Sequence, residues 1–248
     1  MGSYRAKNAS ITELLKAHAR GLLPGILKVD QGNQEAILRA LNNWGWDDDL
    51  ALYLPFDETS GQSAFDLSGN GNTGTATGTT IVDGVFGKAR SFNGTSDFVD
   101  IPDLDISLNI SVSFWFQPSD ITSNRLIITN PQGFAIGLYY SSSTLYIIST
   151  VDSQRIANVD GLVSTAASNH LAVTYDGSGV PSYYLNSVKI VNYGTADYWD
   201  APGNYIGRRT GGTYFEGLID EVRVYDRVLS ADEIYLHYLA GALKLGLI

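Results

Sequence analysis

From Leu50 onward the chain is written in short apolar runs broken by glycine and asparagine every 8–12 residues or so, roughly the spacing of an all-β sandwich or barrel. ALYLPF, ARSFNG, DFVDIP, ISVSFWFQP, RLIITN, FAIGLYY, TLYIIST, HLAVTYDG, PSYYLNS and FEGLIDEVRVYD are the clearest of these runs. So many strands need two sheets to bury their apolar sides. In ISVSFWFQP, Val112, Phe114 and Phe116 alternate with Ser111, Ser113 and Trp115, which predicts one face inward and the other facing out or into a groove.

Residues 1–44 read differently. In ITELLKAHARGLL, Ile11, Leu14, Leu15, His18 and Leu22 fall on one helix face behind Ser10 as N-cap, and Gly21 with Pro24-Gly25 ends the run. A second helix is predicted over Asn33–Asn43, with Ile37, Leu38, Leu41 and Trp44 forming its apolar stripe. Two short helices cannot hold a core of their own. The expected organisation is therefore a helical docking arm at 1–44 and a β domain at 45–248. The arm would pack on that domain, on a second copy or on another protein. The one late helix signal is LSADEIYLHYLAGALKLG, where Ser230 and Glu233 form a capping box.

Charge and composition narrow the function classes. The 248 residues carry a net charge of −10. Residues 1–40 hold six Lys/Arg against three Asp/Glu (+3), and 41–248 hold ten against twenty-three (−13). An acidic body disfavours nucleic acid as a partner. There is no cysteine for thiol chemistry. MGSYRAKNAS lacks the apolar core of a signal peptide, and no apolar run approaches the ~18 residues of a membrane span, so no membrane insertion is expected.

The stretch DLSGNGNTGT, Asp66 to Thr75, invites three readings: a phosphate cradle, a metal loop or a turn. It lacks the lysine of a P-loop and opens no helix, and no glutamate closes it at an EF-hand's twelfth position. Glycine and asparagine always suit a turn. Elsewhere, His18, His170 and His237 are scattered and have no cysteine companions for zinc, and no G-x-S-x-G elbow is present.

The order of FDETSGQSAFDLSGNGNTG, GVFGKARSFNGTSDFVDIP, ISVSFWFQP, NHLAVTYDG, YYLNS and FEGLIDEVRVYDRVLSADEI resembles the LamG-like jelly-roll family, related to concanavalin A-like lectins and glucanases, over about residues 50 to 240. The resemblance implies a mostly β, two-sheet antiparallel jelly-roll sandwich, here with an N-terminal helical arm. It also implies a calcium ion beside the edge where first and last strands meet, for which Glu58, Asp66, Asn70 and Asp220 are the candidate ligands. Without a metal, Asp66 would cap its own turn and Asp220 would pair with Arg223 or Arg90. One departure stands out: the family's Leu-Tyr-Val-Asn-Gly hairpin reads Tyr184-Leu185-Asn186-Ser187, and serine makes a positive φ costlier, so an altered turn is expected.

Some relatives in this superfamily hydrolyse glycans with two carboxylates about 5–5.5 Å apart on one face. No Glu-x-Asp-x-Glu strand occurs here. Asp220 and Glu221 are adjacent, as are Asp57 and Glu58, and Asp103 with Asp105 sits in a Pro-led turn. The expectation is therefore a non-catalytic module. Tyr139, Tyr140, Tyr146, Tyr198 and Trp199 are its candidate glycan contacts. The sequence favours a surface module, extracellular or on a virion or cell surface, that binds glycan and joins its assembly through residues 1–44. A free lectin module and a glycoside hydrolase are the alternatives.

Overall fold

The computed structural model describes residues 49–107, 109–130, 134–149, 155–178, 180–195 and 203–247, with 155–156 and 192–195 as backbone alone. The expected helices of the arm lie outside the described residues. The chain divides into two compact units, Asp49–Leu229 and a smaller one whose described part is residues 230–247.

The larger unit is built of strands. In chain order they begin with β1 (Leu50–Leu54), β2 (Ser63–Ala64), β3 (Gly74–Thr77), β4 (Thr80–Asp83), β5 (Lys88–Asn93), β6 (Phe98–Asp100) and β7 (Asn109–Pro118). Next come β8 (Arg125–Asn130), β9 (Phe134–Ser141), β10 (Thr144–Ser149), β11 (Arg155–Asn158) and β12 (Asn169–Asp176). The last are β13 (Ser182–Leu185), β14 (Val188–Ile190), β15 (Asn192–Thr195), β16 (Tyr205–Ile206), β17 (Arg208–Arg209), β18 (Thr213–Tyr214) and β19 (Glu216–Tyr225).

One sheet runs β14-β13-β12-β7-β19-β5-β4, with β1 also paired to β19. The other runs β15-β11-β10-β9-β8-β16-β6-β3-β2, and β17–β18 is a separate hairpin. This is the two-sheet antiparallel sandwich expected from the strand pattern. Val112, Phe114 and Phe116 of the first sheet share one buried cluster with Ile136, Leu138 and Ile147 of the second. Each such side chain contributes roughly 1.5–3 kcal/mol when fully buried.

Strand β19 organises its sheet. β7 pairs along one edge, while the other edge is divided between β5, beside Glu216–Ile219, and β1, beside Val222–Tyr225. The register against β7 shifts between Asp220 and Arg223, so that Glu221 and Val222 together oppose Phe114, and Glu221 takes a φ of 55°. This bulge keeps Ile219 and Val222 both in the core.

Two expectations are corrected. The face of β7 carrying Ser111, Ser113 and Trp115 is not open: all three are buried. Ser111 Oγ donates to Arg227 O at 2.8 Å and accepts from Leu229 N–H at 2.8 Å. Ser113 Oγ lies 3.0 Å from His170 Nε2, whose ring is 5.2 Å from that of Trp115. Hydroxyls with partners can be buried cheaply, so polar alternation here marks a second buried face.

The hairpin at Asn186-Ser187 is also unaltered. Both residues take positive φ, 50° and 66°, in a two-residue turn between Leu185 and Val188. Asn186 offsets the strain by accepting from His170 N–H through Oδ1 at 2.8 Å and donating its own N–H to His170 O at 2.8 Å. Ser142-Ser143 makes the same kind of turn, with φ of 50° and 62°.

In the smaller unit, helix α1 (Ala231–Leu245) forms as its capping box predicts, with reciprocal Ser230–Glu233 bonds and Gly246 at φ 68° closing the C-terminus.

Gly217 tests the central strand. At φ 132° it leaves room for nothing larger, since a Cβ would lie 2.1 Å from Gln117 O, whereas a Cβ on Gly71, at φ 78°, meets nothing within 4 Å. Gly71→Ala is expected to cost about 1–2 kcal/mol, for conformation alone. Gly217→Ala should cost about 3 kcal/mol or more, because strain and overlap combine. Denaturant unfolding of the two variants measures the difference.

Candidate functional site

The glycine-rich loop after Asp66 completes an exposed strand edge. β1 pairs with β19 on one side, and among the described residues no strand pairs with its other edge. Asp66 Oδ1 accepts from the N–H of Tyr53 and of Ser68, each at 2.9 Å, and Oδ2 accepts from Ser68 Oγ and Asn72 N–H, each at 2.8 Å. Leu67 N–H donates to Tyr53 O at 2.8 Å, Asn70 Nδ2 to Leu50 O at 2.7 Å and Asn72 Nδ2 to Ala51 O at 2.9 Å. Side chains thus supply bonds that another strand would make, which blocks pairing with a foreign chain.

The other proposed calcium ligands are committed elsewhere. Glu58 accepts from Phe65 N–H at 2.7 Å and pairs with buried Arg90 at 3.3 Å. Asn70 turns its amide N–H group toward β1. Asp220 Oδ2 accepts from Val85 N–H at 2.7 Å and Phe86 N–H at 3.3 Å. Hydrogen-bond donors already surround these carboxylates, and among the described residues no group of three or more acidic or histidine side chains converges. As folded, these four residues do not fit calcium, which needs six to eight oxygens at one point.

Asp220 pairs with neither Arg223 nor Arg90. It lies under the turn of residues 84–87, where a Cβ on Gly84 would come 2.6 Å from its Oδ2. Its second oxygen, Oδ1, is buried without a partner. Burial first, then the charges of Glu221 and Asp57, push its pKa up to about 8 against the lowering effect of the two N–H donors. Arg223 instead pairs with Glu221 at 2.5 Å and lies over the Tyr53 ring at 4.1 Å, while the Tyr53 hydroxyl donates to Glu221 at 3.0 Å. His170 is fully enclosed, and burial, followed by the charge of Arg223, lowers its pKa to about 3. The ring is therefore neutral and out of reach of a substrate.

The side chains that face away from the core on the nine-stranded sheet form a different kind of surface. Tyr139 and Tyr146 are direct cross-strand partners with ring centroids 6.1 Å apart. Both are half-buried. Tyr140, next in sequence, turns the other way and packs on the core, while Tyr198 and Trp199 lie outside the described residues. On the same outer face, toward β6, the rings of Phe98 and Tyr205 meet edge-on at 5.7 Å. The Arg208 guanidinium lies over both, 4.2 Å from the Phe98 centroid and 4.0 Å from that of Tyr205. Sequence reading missed this trio because its members come from β6, β16 and β17, more than a hundred residues apart at the extremes. Only their half-burial and outward register mark them.

Comparison with known proteins agrees with this architecture. A family model described as the concanavalin A-like lectin/glucanases superfamily matches residues 93–235. Domain 4 of AbnA, a GH43 extracellular arabinanase from Geobacillus stearothermophilus, solved in complex with arabinotriose, superposes with a TM-score of 0.59 at 25% identity, covering 75% of this chain and 97% of that domain. The binding domain of Paraclostridial Mosquitocidal Protein 1 gives a TM-score of 0.59 at 19% identity, covering 77% of this chain and 52% of that one. The botulinum neurotoxin serotype D binding domain gives 0.58 at 17% identity, covering 78% and 52%. These last two show the fold alone, and this chain spans about half their length. No curated protein matches in sequence.

The two acidic sites respond differently to perturbation. Asp66→Ala orphans several backbone donors and should cost about 2 kcal/mol, equally in chelator and in calcium, as thermal unfolding under both conditions would show. Asp220 keeps its proton in the folded chain up to about pH 8, whereas the unfolded chain loses it near its usual value of about 3.9. Stability contributed by this group is therefore complete below about pH 4 and falls as pH rises to about 8. Asp220→Asn cannot ionise, so its stability relative to the parent should rise steadily across that window in denaturation measured from pH 4 to 8.

Proposed function

The chain belongs to the concanavalin A-like lectin/glucanase superfamily, and from that premise we propose that it is a non-catalytic glycan-binding module. The observation that carries the proposal is the set of half-buried rings on the outer face of the nine-stranded sheet, Tyr139 with Tyr146 and Phe98 with Tyr205. Sugar rings present C–H faces that pack on aromatic faces, and rings already held by cross-strand partners lose little freedom on binding. The arabinanase domain solved with arabinotriose, covered by this chain over 97% of its length, supports the same reading.

The disposition of carboxylates supports a non-catalytic role. Asp220 and Glu221 are buried, one under a backbone turn and the other in an ion pair with Arg223. Asp57 accepts from Lys88 N–H at 2.7 Å, and Asp103 accepts from the Asn204 amide. Each serves the fold rather than a bond to be cut. Display outside the cell or on a virion or cell surface, with residues 1–44 as the docking arm, belongs to the same reading. It is supported by the basic charge and apolar stripes of that segment. No helix among the described residues is long and apolar enough to cross a membrane.

Screening the full chain against immobilised plant, microbial and animal oligosaccharides tests the proposal. Binding is expected without release of reducing ends, and Tyr146→Ala should weaken it about tenfold, the loss of about 1.4 kcal/mol of contact. A chain that binds none of these glycans, or one that shortens them, overturns the reading.

A further inference from the structure

We propose that Arg208 reads an anionic group on the bound saccharide, so that the ligand class is an acidic glycan bearing a carboxylate or sulfate. The inference rests on the glycan-binding reading and specifies the chemistry of the same outer face.

Arg90 pairs with Glu58, Arg125 with Asp120 and Glu216, and Arg223 with Glu221. Among the described residues the Arg208 side chain has no ion pair and no hydrogen bond; its Nε is buried without a partner, as are those of Arg90 and Arg125, and the missing ion pair is what sets it apart. This is unusual in a chain whose residues 41–248 hold twenty-three acidic side chains against ten basic ones. Asp100 sits directly across from Tyr205 on the same face, yet it does not reach the guanidinium.

Stacking explains how the group is held without such a partner. With its carbon 4.0 Å and 4.2 Å from two ring centroids, the guanidinium is fixed by cation–π attraction rather than by an acid. The two rings stand at 85° to each other, so the guanidinium plane lies parallel to one of them at most, and the N–H donors that point at neither ring are left for a ligand. Those donors form a rigid fork matched to two oxygens of a carboxylate or sulfate. The terminal N–H groups, which are not buried, are hydrated in the free chain and would exchange that water for the oxygens of a sugar stacked beside Tyr205. The net charge of −10 repels anions at long range, so the recognition must be short-ranged and local to this fork.

Titration calorimetry on the full chain provides the test, using a neutral arabino-oligosaccharide, an oligogalacturonate and a heparin-derived sulfated oligosaccharide of similar length. At least one acidic saccharide is expected to bind about tenfold or more tightly than the neutral one, and comparing the two acidic arms identifies whether carboxylate or sulfate is preferred. Arg208→Gln should bring the preferred acidic saccharide down to the affinity of the neutral one. Arg208→Lys should lose most of the preference too, because an ammonium keeps the charge but not the fork. Thermal unfolding of both variants confirms that they are folded, and Phe98→Leu, which removes the stack but spares the arginine, should give an intermediate loss. Equal binding of neutral and acidic sugars, or an acidic preference that survives in Arg208→Gln, overturns this inference while leaving the glycan reading in place. Failure to bind any of the three overturns the inference, and failure across the wider panel removes the glycan reading as well.

Discussion

The pairing of β19 is the constraint on which the first sheet depends. A central strand must satisfy backbone groups on both edges, and β19 does so with three partners: β7 on one side, β5 and β1 end to end on the other. Chain from near both ends of the β domain therefore meets on one strand. The extra residue at Glu221 reconciles these pairings with the core, because without it Val222 and Val224 would face the wrong side. The same bulge sets Asp220 under the 84–87 turn and brings Glu221 to Arg223 and Tyr53.

Placing β1 on β19 creates a liability, since the far edge of β1 carries unpaired backbone groups. The loop from Asp66 to Asn72 covers that edge with carboxylate and amide side chains rather than with a strand. Arg90, fully buried between β5 and the preceding segment, steadies the approach to the loop by donating to Gly61 O and Ser63 O at 3.1 and 2.9 Å besides its pair with Glu58. A buried arginine is tolerable when its charge and most of its donors find partners in this way, although Arg90 Nε finds none. The most conspicuous polar stretch of the sequence thus serves the fold.

The proposed function rests on the opposite kind of residue. The rings of Tyr139, Tyr146, Phe98 and Tyr205 lie on the side of their strands opposite the main core, where Tyr139 packs on a second buried cluster of Leu126, Ala135 and Ile148. Their spacing is inherited from the sheet, so the proposed recognition surface is organised before any ligand arrives. Arg208 adds to that surface a polar group whose bonding is incomplete among the described residues.

Much of the architecture was legible from residues alone. Val112, Phe114 and Phe116 alternate because a strand has period two, Ser230 and Glu233 cap a helix because of local hydrogen bonding, and the order of the motifs around GVFGKARSFNG and LIDEV pointed to the family. These are local or ordered signals, and a one-dimensional string preserves them. That Asp66 caps its own turn was among the readings of the sequence, but the burial of Ser111, Ser113 and Trp115 on a second face and the turn of Tyr140 toward the core could not be read there, because each depends on what lies across a sheet. The trio of Phe98, Tyr205 and Arg208 is the extreme case: no spacing rule joins residues 98 and 208, and they meet only because β6 and β16 pair in the register that puts Tyr205 opposite Asp100. Sequence determined which residues could form strands, caps and turns through short-range sterics and hydrogen bonding. Tertiary structure alone decided which side chains were left facing outward together, because only long-range strand pairing sets that neighbourhood.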